Sequence, residues 1–113
     1  MQIKIASNNG IIADQAVMAQ TFITRLRGLM FRERLNESEA LIIQPCNMIH
    51  TFGMRFAIDA LFVNKENKVE HMIENLHPNK ISAMVFKAVK VVELPAGAIH
   101  NANIQKGDMI FIT

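Results

Sequence analysis

Alternating hydrophobic and polar residues predict a chain built mainly from short strands. Residues 2–6 alternate with period two, and the Asn9-Gly10 pair that follows is typical of a tight hairpin turn, because both residues readily adopt positive φ. Residues 11–19 are expected to return as the second strand, although Asp14 weakens the pattern. Further strands are predicted over residues 40–43, 60–63, 68–73, 85–94 and 109–112.

Two short helical segments interrupt this pattern. Residues 21–27 suit a helix with Thr21 as N-cap, and Gly28 is placed to end it in the left-handed conformation. Residues 95–101 suit a single helical turn opened by Pro95. The fold class predicted is α+β and predominantly β, a small antiparallel, barrel-like sheet with one or two short helices.

Composition fits one compact domain spanning residues 1–113. Half of the residues are hydrophobic and 19% are charged, which argues for a well-filled core. A net charge of +2 is too small to indicate a nucleic-acid partner. One cysteine, no apolar run of membrane-spanning length and no signal-like N-terminus lead us to expect a cytoplasmic protein that does not bind membranes, as a monomer or weak homo-oligomer.

The most distinctive stretch is residues 45–59, which holds the single cysteine together with a histidine, an arginine and an aspartate. As a regular strand it would place Arg55 and Asp59 opposite Cys46 and His50. A bulge at Gly53 instead gathers these four polar residues on one face. It leaves an apolar face made by Met54, Phe56 and Ile58. We prefer the bulged strand because it groups the polar side chains.

Several kinds of chemistry fit this stretch poorly. Cys46 and His50 would lie roughly 13 Å apart on a strand, too far for a direct thiol–imidazole pair. The four histidines have no ligand spacing, so we expect no metal and no cofactor. Structural roles compete with function here: Cys46 as a buried apolar side chain, His50 as a hydrogen-bonded core residue, and Arg55 as the partner of Asp59 or Glu93.

Three further expectations concern the surroundings of this stretch. Arg27 should approach it, unlike Arg25 or Arg32, because the helix end would aim its side chain inward. Glu93 interrupts an apolar strand and should therefore pair with a basic group inside the domain. A shallow pocket is expected where the stretch meets the turns at Gly28 and Gly97, whose backbone amides would help to hold a polar group.

Four segments carry a resemblance to a known family: residues 27–32, 45–59, 92–97 and 106–108. Their order and spacing resemble those in the bacterial and archaeal family known as domain of unknown function 192. The resemblance covers about residues 11 to 110. It implies a compact, β-rich α+β domain without an established activity. Many relatives have a Pro or a second aromatic residue where this chain has Ala57 and Gly53. The polar positions that recur in the family, which carry no catalytic roles, map onto Arg27, His50, Thr51, Met54, Arg55, Asp59, Glu93 and Gly97.

Two functions from different classes remain open at this point. The first is a binding or interaction domain for a small polar or anionic ligand, or for a protein segment; its candidate residues are Arg27, Cys46, His50, Thr51, Met54, Arg55, Asp59, Glu93 and Gly97. The alternative is a small hydrolase-like enzyme with His50 or Asp59 as acid–base group. A purely structural, partner-binding role is a third reading. Absence of an activated nucleophile or phosphate-binding loop favours the binding domain.

Overall fold

The computed structural model describes the backbone of residues 1–113 and all side chains except those of Phe22 and Ile23. Its short strands and two short helices confirm the predominantly β, α+β fold class. In chain order the elements are β1 Ile3–Ile5, β2 Ile11–Ala13, β3 Gln15–Ala19, α1 Phe22–Arg27, β4 Glu39–Ile43, β5 Ile58–Asn64, β6 Val69–Leu76, β7 Ala88–Pro95, α2 Ala98–Ala102 and β8 Ile110–Ile112.

The strands form two sheets. β1 pairs antiparallel with β2 and β8, and the larger sheet has the strand order β3-β4-β7-β5-β6. β3 and β4 are parallel because the intervening chain, which includes α1, crosses back before β4 begins. In the described strand order β3 and β6 remain as edges, so the larger sheet does not close into the barrel-like form expected. The strand expected over residues 11–19 divides at the exposed Asp14 into β2 and β3.

Local signals predicted the β1–β2 turn and the N-cap of α1 correctly, but α2 begins after Gly97 and not at Pro95, which is the last residue of β7. Asn9 has φ 56°, and Ile5 N donates to Gly10 O at 2.9 Å, which closes the β1–β2 hairpin. The Thr21 hydroxyl accepts a hydrogen bond from Thr24 N and so caps α1, as predicted. Gly28 ends this helix with φ 50° and ψ −127°, a conformation that only glycine adopts easily, although it is not the helical left-handed one expected.

The five-stranded sheet buries apolar side chains on both faces, and β7 lies in its centre. One face packs against the small sheet and α2; its buried residues include Ile42, Leu61, Val92, Leu94, Ile3 and Ile99. The other face is covered by the end of α1 and by the loop that precedes β5; its buried residues include Ile43, Phe62, Val91, Leu29, Ile49 and Met54. Each face therefore has its own core.

Residues 45–57 form a loop rather than the bulged strand that the sequence predicted. Backbone bonds tie this central loop to residues 80–85: Thr51 N donates to Lys80 O at 2.8 Å, and Ser82 N donates to Ile49 O at 2.8 Å. Strand pairing in the sheet starts only at Ile58. The expected core face is partly present, since Met54 and Ile58 are buried and Phe56 is half-buried against the same core.

Candidate functional site

Glu93 is a carboxyl residue buried in the centre of the larger sheet. It lies on β7 opposite Leu41 of β4 and Ala60 of β5, so its side chain points to the face covered by α1 and the central loop. Only 2% of the residue is exposed. A strand of this central position normally carries apolar side chains on both faces, which makes a carboxyl group here unusual.

The end of α1 covers this carboxyl group. A Cβ atom built at Gly28 would lie 3.9 Å from Glu93 Oε1, so the carboxyl oxygen and the helix end are close neighbours. Arg25 reaches across the central loop and donates from Nη1 to Pro45 O at 3.1 Å. The helix is thereby fixed to the loop on one side of Glu93.

His50 makes a second link between the helix and the loop. Phe52 N donates to His50 Nδ1 at 3.2 Å, which leaves Nε2 to donate to Leu26 O at 3.3 Å in the neutral ring. The imidazole also stacks on Phe52, with ring centroids 5.4 Å apart. Because both nitrogens bond to the backbone, the ring holds the loop in place.

A small cavity of about 40 Å³ lies between these elements. Its wall is mostly apolar and rich in sulfur, and it includes Leu29, Met30, Ile43, Cys46, Met48, Ile49 and Met54, together with Arg25, Leu26, Arg27, Gly28, His50 and Glu93. A surface groove of about 310 Å³ shares Arg25, Cys46, Met48 and His50 with this wall. The cavity and the larger surface groove therefore share part of their walls.

Two of the residues that line this cavity each have a polar side-chain atom without a hydrogen-bond partner in the described part of the chain. These are Glu93 Oε1 and Arg25 Nε, both buried. Burial raises the pKa of Glu93 to about 8, so the carboxyl group is mostly protonated at neutral pH. Burial also raises the pKa of the Cys46 thiol, and the neighbouring Glu93 adds to that effect. Cys46 is thus not an activated nucleophile; its Sγ donates to Met48 O at 3.2 Å.

The structure brings five of the predicted residues to this cavity: Arg27, Cys46, His50, Met54 and Glu93. The other four lie elsewhere. Arg55 is exposed, and Thr51 is buried, where its hydroxyl donates to His77 O at 2.7 Å. Asp59 and Gly97 meet on the opposite face of the sheet, where Gly97 N donates to Asp59 Oδ2 at 3.1 Å.

Three expectations about this region are wrong. Glu93 does not pair with a basic group, since the ion pair recorded among the described side chains joins Arg32 to Glu39. Arg27 lines the cavity as expected, but it is exposed, and the contrast with Arg25 fails because Arg25 is the one that donates a hydrogen bond to the loop. The turn at Gly97 does not join the cavity; its neighbours Pro95, Ala96 and Ala98 line a separate groove beside α2.

Sequence reasoning missed Arg25 and the methionines Met30 and Met48 in the wall. The eight methionines in a chain without Trp or Tyr were the available signal, but their number does not say which of them line the same cavity.

In the described part of the chain, no three His, Cys, Asp or Glu residues are grouped as metal ligands. No described helix is long and apolar enough to span a membrane.

Comparison with known proteins assigns the chain to a family. The model of the family DUF192, described as "Uncharacterized ACR", matches residues 3–112, and the chain therefore belongs to this family. Two relatives, each named "UPF0127 protein", come from Thermococcus gammatolerans and Thermococcus sibiricus and are each 29% identical over 97 residues. These matches cover 82% of this chain and 63% and 62% of the relatives, so the chain spans less than two thirds of their length.

Two solved structures share the fold. A protein of unknown function from Novosphingobium aromaticivorans superposes with a TM-score of 0.87 at 20% identity, covering 99% of this chain and 84% of that one. A "putative transcription regulator" from Sinorhizobium meliloti has a TM-score of 0.81, also at 20% identity, with 97% and 89% covered. At this identity the likeness shows the fold alone.

Proposed function

We propose that this DUF192 member is a binding domain that takes a small polar group into the Glu93 cavity. One observation carries the proposal: Glu93 lines a cavity with 2% of the residue exposed, and one oxygen of its carboxyl group has no hydrogen-bond partner. A buried polar atom left unpaired costs about 1–3 kcal/mol of folding free energy. An unpaired group at a cavity is better explained by a ligand than by stability.

The dimensions of the site support a ligand that is only partly enclosed. A water-sized group needs about 10–15 Å³ of such space, so the 40 Å³ cavity holds about three non-hydrogen atoms. The adjoining groove of about 310 Å³ offers room for the rest of the molecule. Arg25 lines both spaces and carries the second unpaired atom. The proposed ligand therefore has a narrow polar end and a larger part outside.

Hydrolysis is the second candidate and has less support. Both nitrogens of His50 bond to the backbone, and both carboxylate oxygens of Asp59 accept backbone amides on the other face. Neither residue has an atom free to move a substrate proton in this arrangement. Nucleic-acid binding is not part of our proposal, because a net charge of +2 offers little attraction to phosphates.

A ligand screen followed by two-dimensional NMR tests the proposed function. Small amines, carboxylates, amides and sugars would be titrated into labelled protein. We expect a binding compound to shift the amides of Gly28, Cys46 and residues 92–94 in the native chain. Glu93→Gln should weaken that binding at least tenfold, whereas Glu74→Gln, a matched change at an exposed position of β6, should leave it unchanged.

Binding confined to the α2 groove, or binding that is indifferent to Glu93→Gln, would contradict the proposal. The folded state of each variant is checked by its unfolding midpoint. If Glu93→Gln fails to fold, Glu93→Leu provides the same test with an apolar side chain of similar volume.

A further inference from the structure

We infer that the ligand of the Glu93 cavity is an aminocarboxylate, with its ammonium group at Glu93 and its carboxylate at Arg25. The inference rests on the proposed function and names the chemical class of the ligand. It starts from two residues of opposite charge type that line one cavity and that each have a buried, unpartnered polar atom, a carboxyl oxygen in Glu93 and a guanidinium N–H in Arg25. A ligand carrying one group of each sign satisfies both.

The Glu93 end of the cavity suits a cation. Oε1 is the acceptor without a donor, and it lies beside Gly28, where the carbonyl end of α1 adds partial negative charge. No described residue donates a hydrogen bond to this carboxyl group, so an incoming ammonium group would supply the missing donor. The cavity admits that group with one or two methylene groups attached.

The Arg25 end suits a carboxylate. The bond from Nη1 to Pro45 O holds the guanidinium in one orientation, while Nε keeps its hydrogen unpaired. A guanidinium fixed in this way binds carboxylates through parallel hydrogen bonds. Arg27, which is exposed and also lines the cavity, adds a second positive charge near the mouth. A ligand with an ammonium group but no carboxylate would be repelled by these two positive charges.

Binding should release a proton. The Glu93 carboxyl is mostly protonated at pH 7 in the free protein, and pairing with an ammonium group requires its ionised form. The proton therefore leaves to solvent as the ion pair forms. Other titratable or charged groups around Glu93 are Arg25 and Arg27 of α1 and Cys46 and His50 of the loop. Its neighbours on β4 and β5, Leu41 and Ala60, carry none.

Calorimetric titration with a matched set of probes tests the inference. Glycine, 3-aminopropanoate and 4-aminobutanoate carry both groups at increasing separation, while propylamine, propanoate and propanamide carry one or neither charge. We expect one of the aminocarboxylates to bind at least tenfold more tightly than the three single-group probes. Titration in buffers with different ionisation heats should show release of close to one proton at pH 7, and the affinity should rise from pH 6 to pH 8.

Paired variants separate the two ends of the ligand. Glu93→Gln should remove the proton release and the preference for an ammonium group, and Arg25→Gln should remove the preference for a carboxylate. Arg34→Gln, an exposed change elsewhere, should alter neither.

If propanamide or a sugar binds at the cavity without proton release, the site stands and the aminocarboxylate assignment is wrong. If no compound shifts the cavity amides, both the assignment and the proposed function are wrong.

Discussion

Asp59 and Glu93 are two buried carboxyl residues on neighbouring strands, and their surroundings are opposite in kind. In the pairing of β5 with β7, Asp59 faces Leu94 and Ala60 faces Glu93, so the two side chains point to opposite sides of the sheet. Asp59 accepts the amides of Asn75, Gly97 and Ile99 at 2.9–3.1 Å. Glu93 accepts none from the described residues.

The difference separates a structural carboxylate from one available to a ligand. Three backbone donors replace the water that Asp59 loses on burial, and they fix the start of α2 and the end of β6. No such replacement exists at Glu93, whose pKa rises to about 8 as a result. Burial alone therefore does not distinguish a ligand-binding carboxyl group from a structural one; the number of hydrogen-bond donors around the carboxyl group does.

The largest effect should come from removing the structural carboxylate. Asp59→Ala leaves three backbone amides without an acceptor, and we expect a loss of about 3 kcal/mol or more in the free energy of unfolding. Urea denaturation measures it, with Asp14→Ala at an exposed position as the control. A loss below about 1 kcal/mol, within the range of ordinary surface changes, would mean that the three bonds contribute little.

A pH-dependent effect should come from Glu93. Between the ordinary carboxyl pKa of 4.5 and about 8, the folded chain holds a proton that the unfolded chain has lost. The free energy of unfolding should therefore fall as the pH rises, by about 1.4 kcal/mol per pH unit at most, and level off above pH 8. Urea midpoints of the native chain and Glu93→Gln at pH 5–9 isolate this contribution. Parallel curves for the two proteins would show that Glu93 ionises normally.

A smaller effect should come from Thr51, which serves the scaffold of the central loop. Its hydroxyl donates to His77 O and accepts from Lys80 N at 2.9 Å. Thr51→Val leaves both groups unpaired and should cost about 1–2 kcal/mol, while Thr51→Ser should cost less. Hydrogen exchange of residues 77–82 should accelerate in Thr51→Val. Unchanged hydrogen exchange there would show that the hydrogen bonds of Thr51 do not stabilise residues 77–82.

Much of the fold followed from local signals, whereas the site depended on distant contacts. The hairpin at Asn9-Gly10, the capped helix after Thr21 and the strand at residues 40–43 each rest on a few adjacent residues, and each is present. Asp59 meets the amide of Ile99 across 40 positions, and no periodicity predicts that contact.

The central loop shows a second limit. Its apolar and polar residues alternate as in a strand, but most of its backbone partners lie in residues 79–85, outside the sheet, and Cys46 N alone bonds to β7, at Val89 O. Alternation reports which side chains are buried, and it was right for Met54 and Ile58. It does not report the partner strand. The burial of Glu93 followed from its apolar neighbours in the same way, while its missing partner did not.

The smallest effect should appear at Cys46, and it compares the two carboxyl residues directly. Burial raises the pKa of this thiol, and Glu93 raises it further through its charge. Above pH 8, where Glu93 is ionised, Glu93→Gln should lower the pKa of the thiol and speed its alkylation by iodoacetamide a few-fold, because the thiolate is the reacting form. Below pH 7 the carboxyl group is neutral and the rates should converge.

The alkylation rate of Cys46 is measured from pH 6 to pH 10, with Glu70→Gln on β6 as the control. Asp59→Asn, on the opposite face, should leave the titration of Cys46 unchanged. Equal acceleration at every pH would point to altered access rather than charge, and would mean that the charge of Glu93 does not raise the pKa of the thiol.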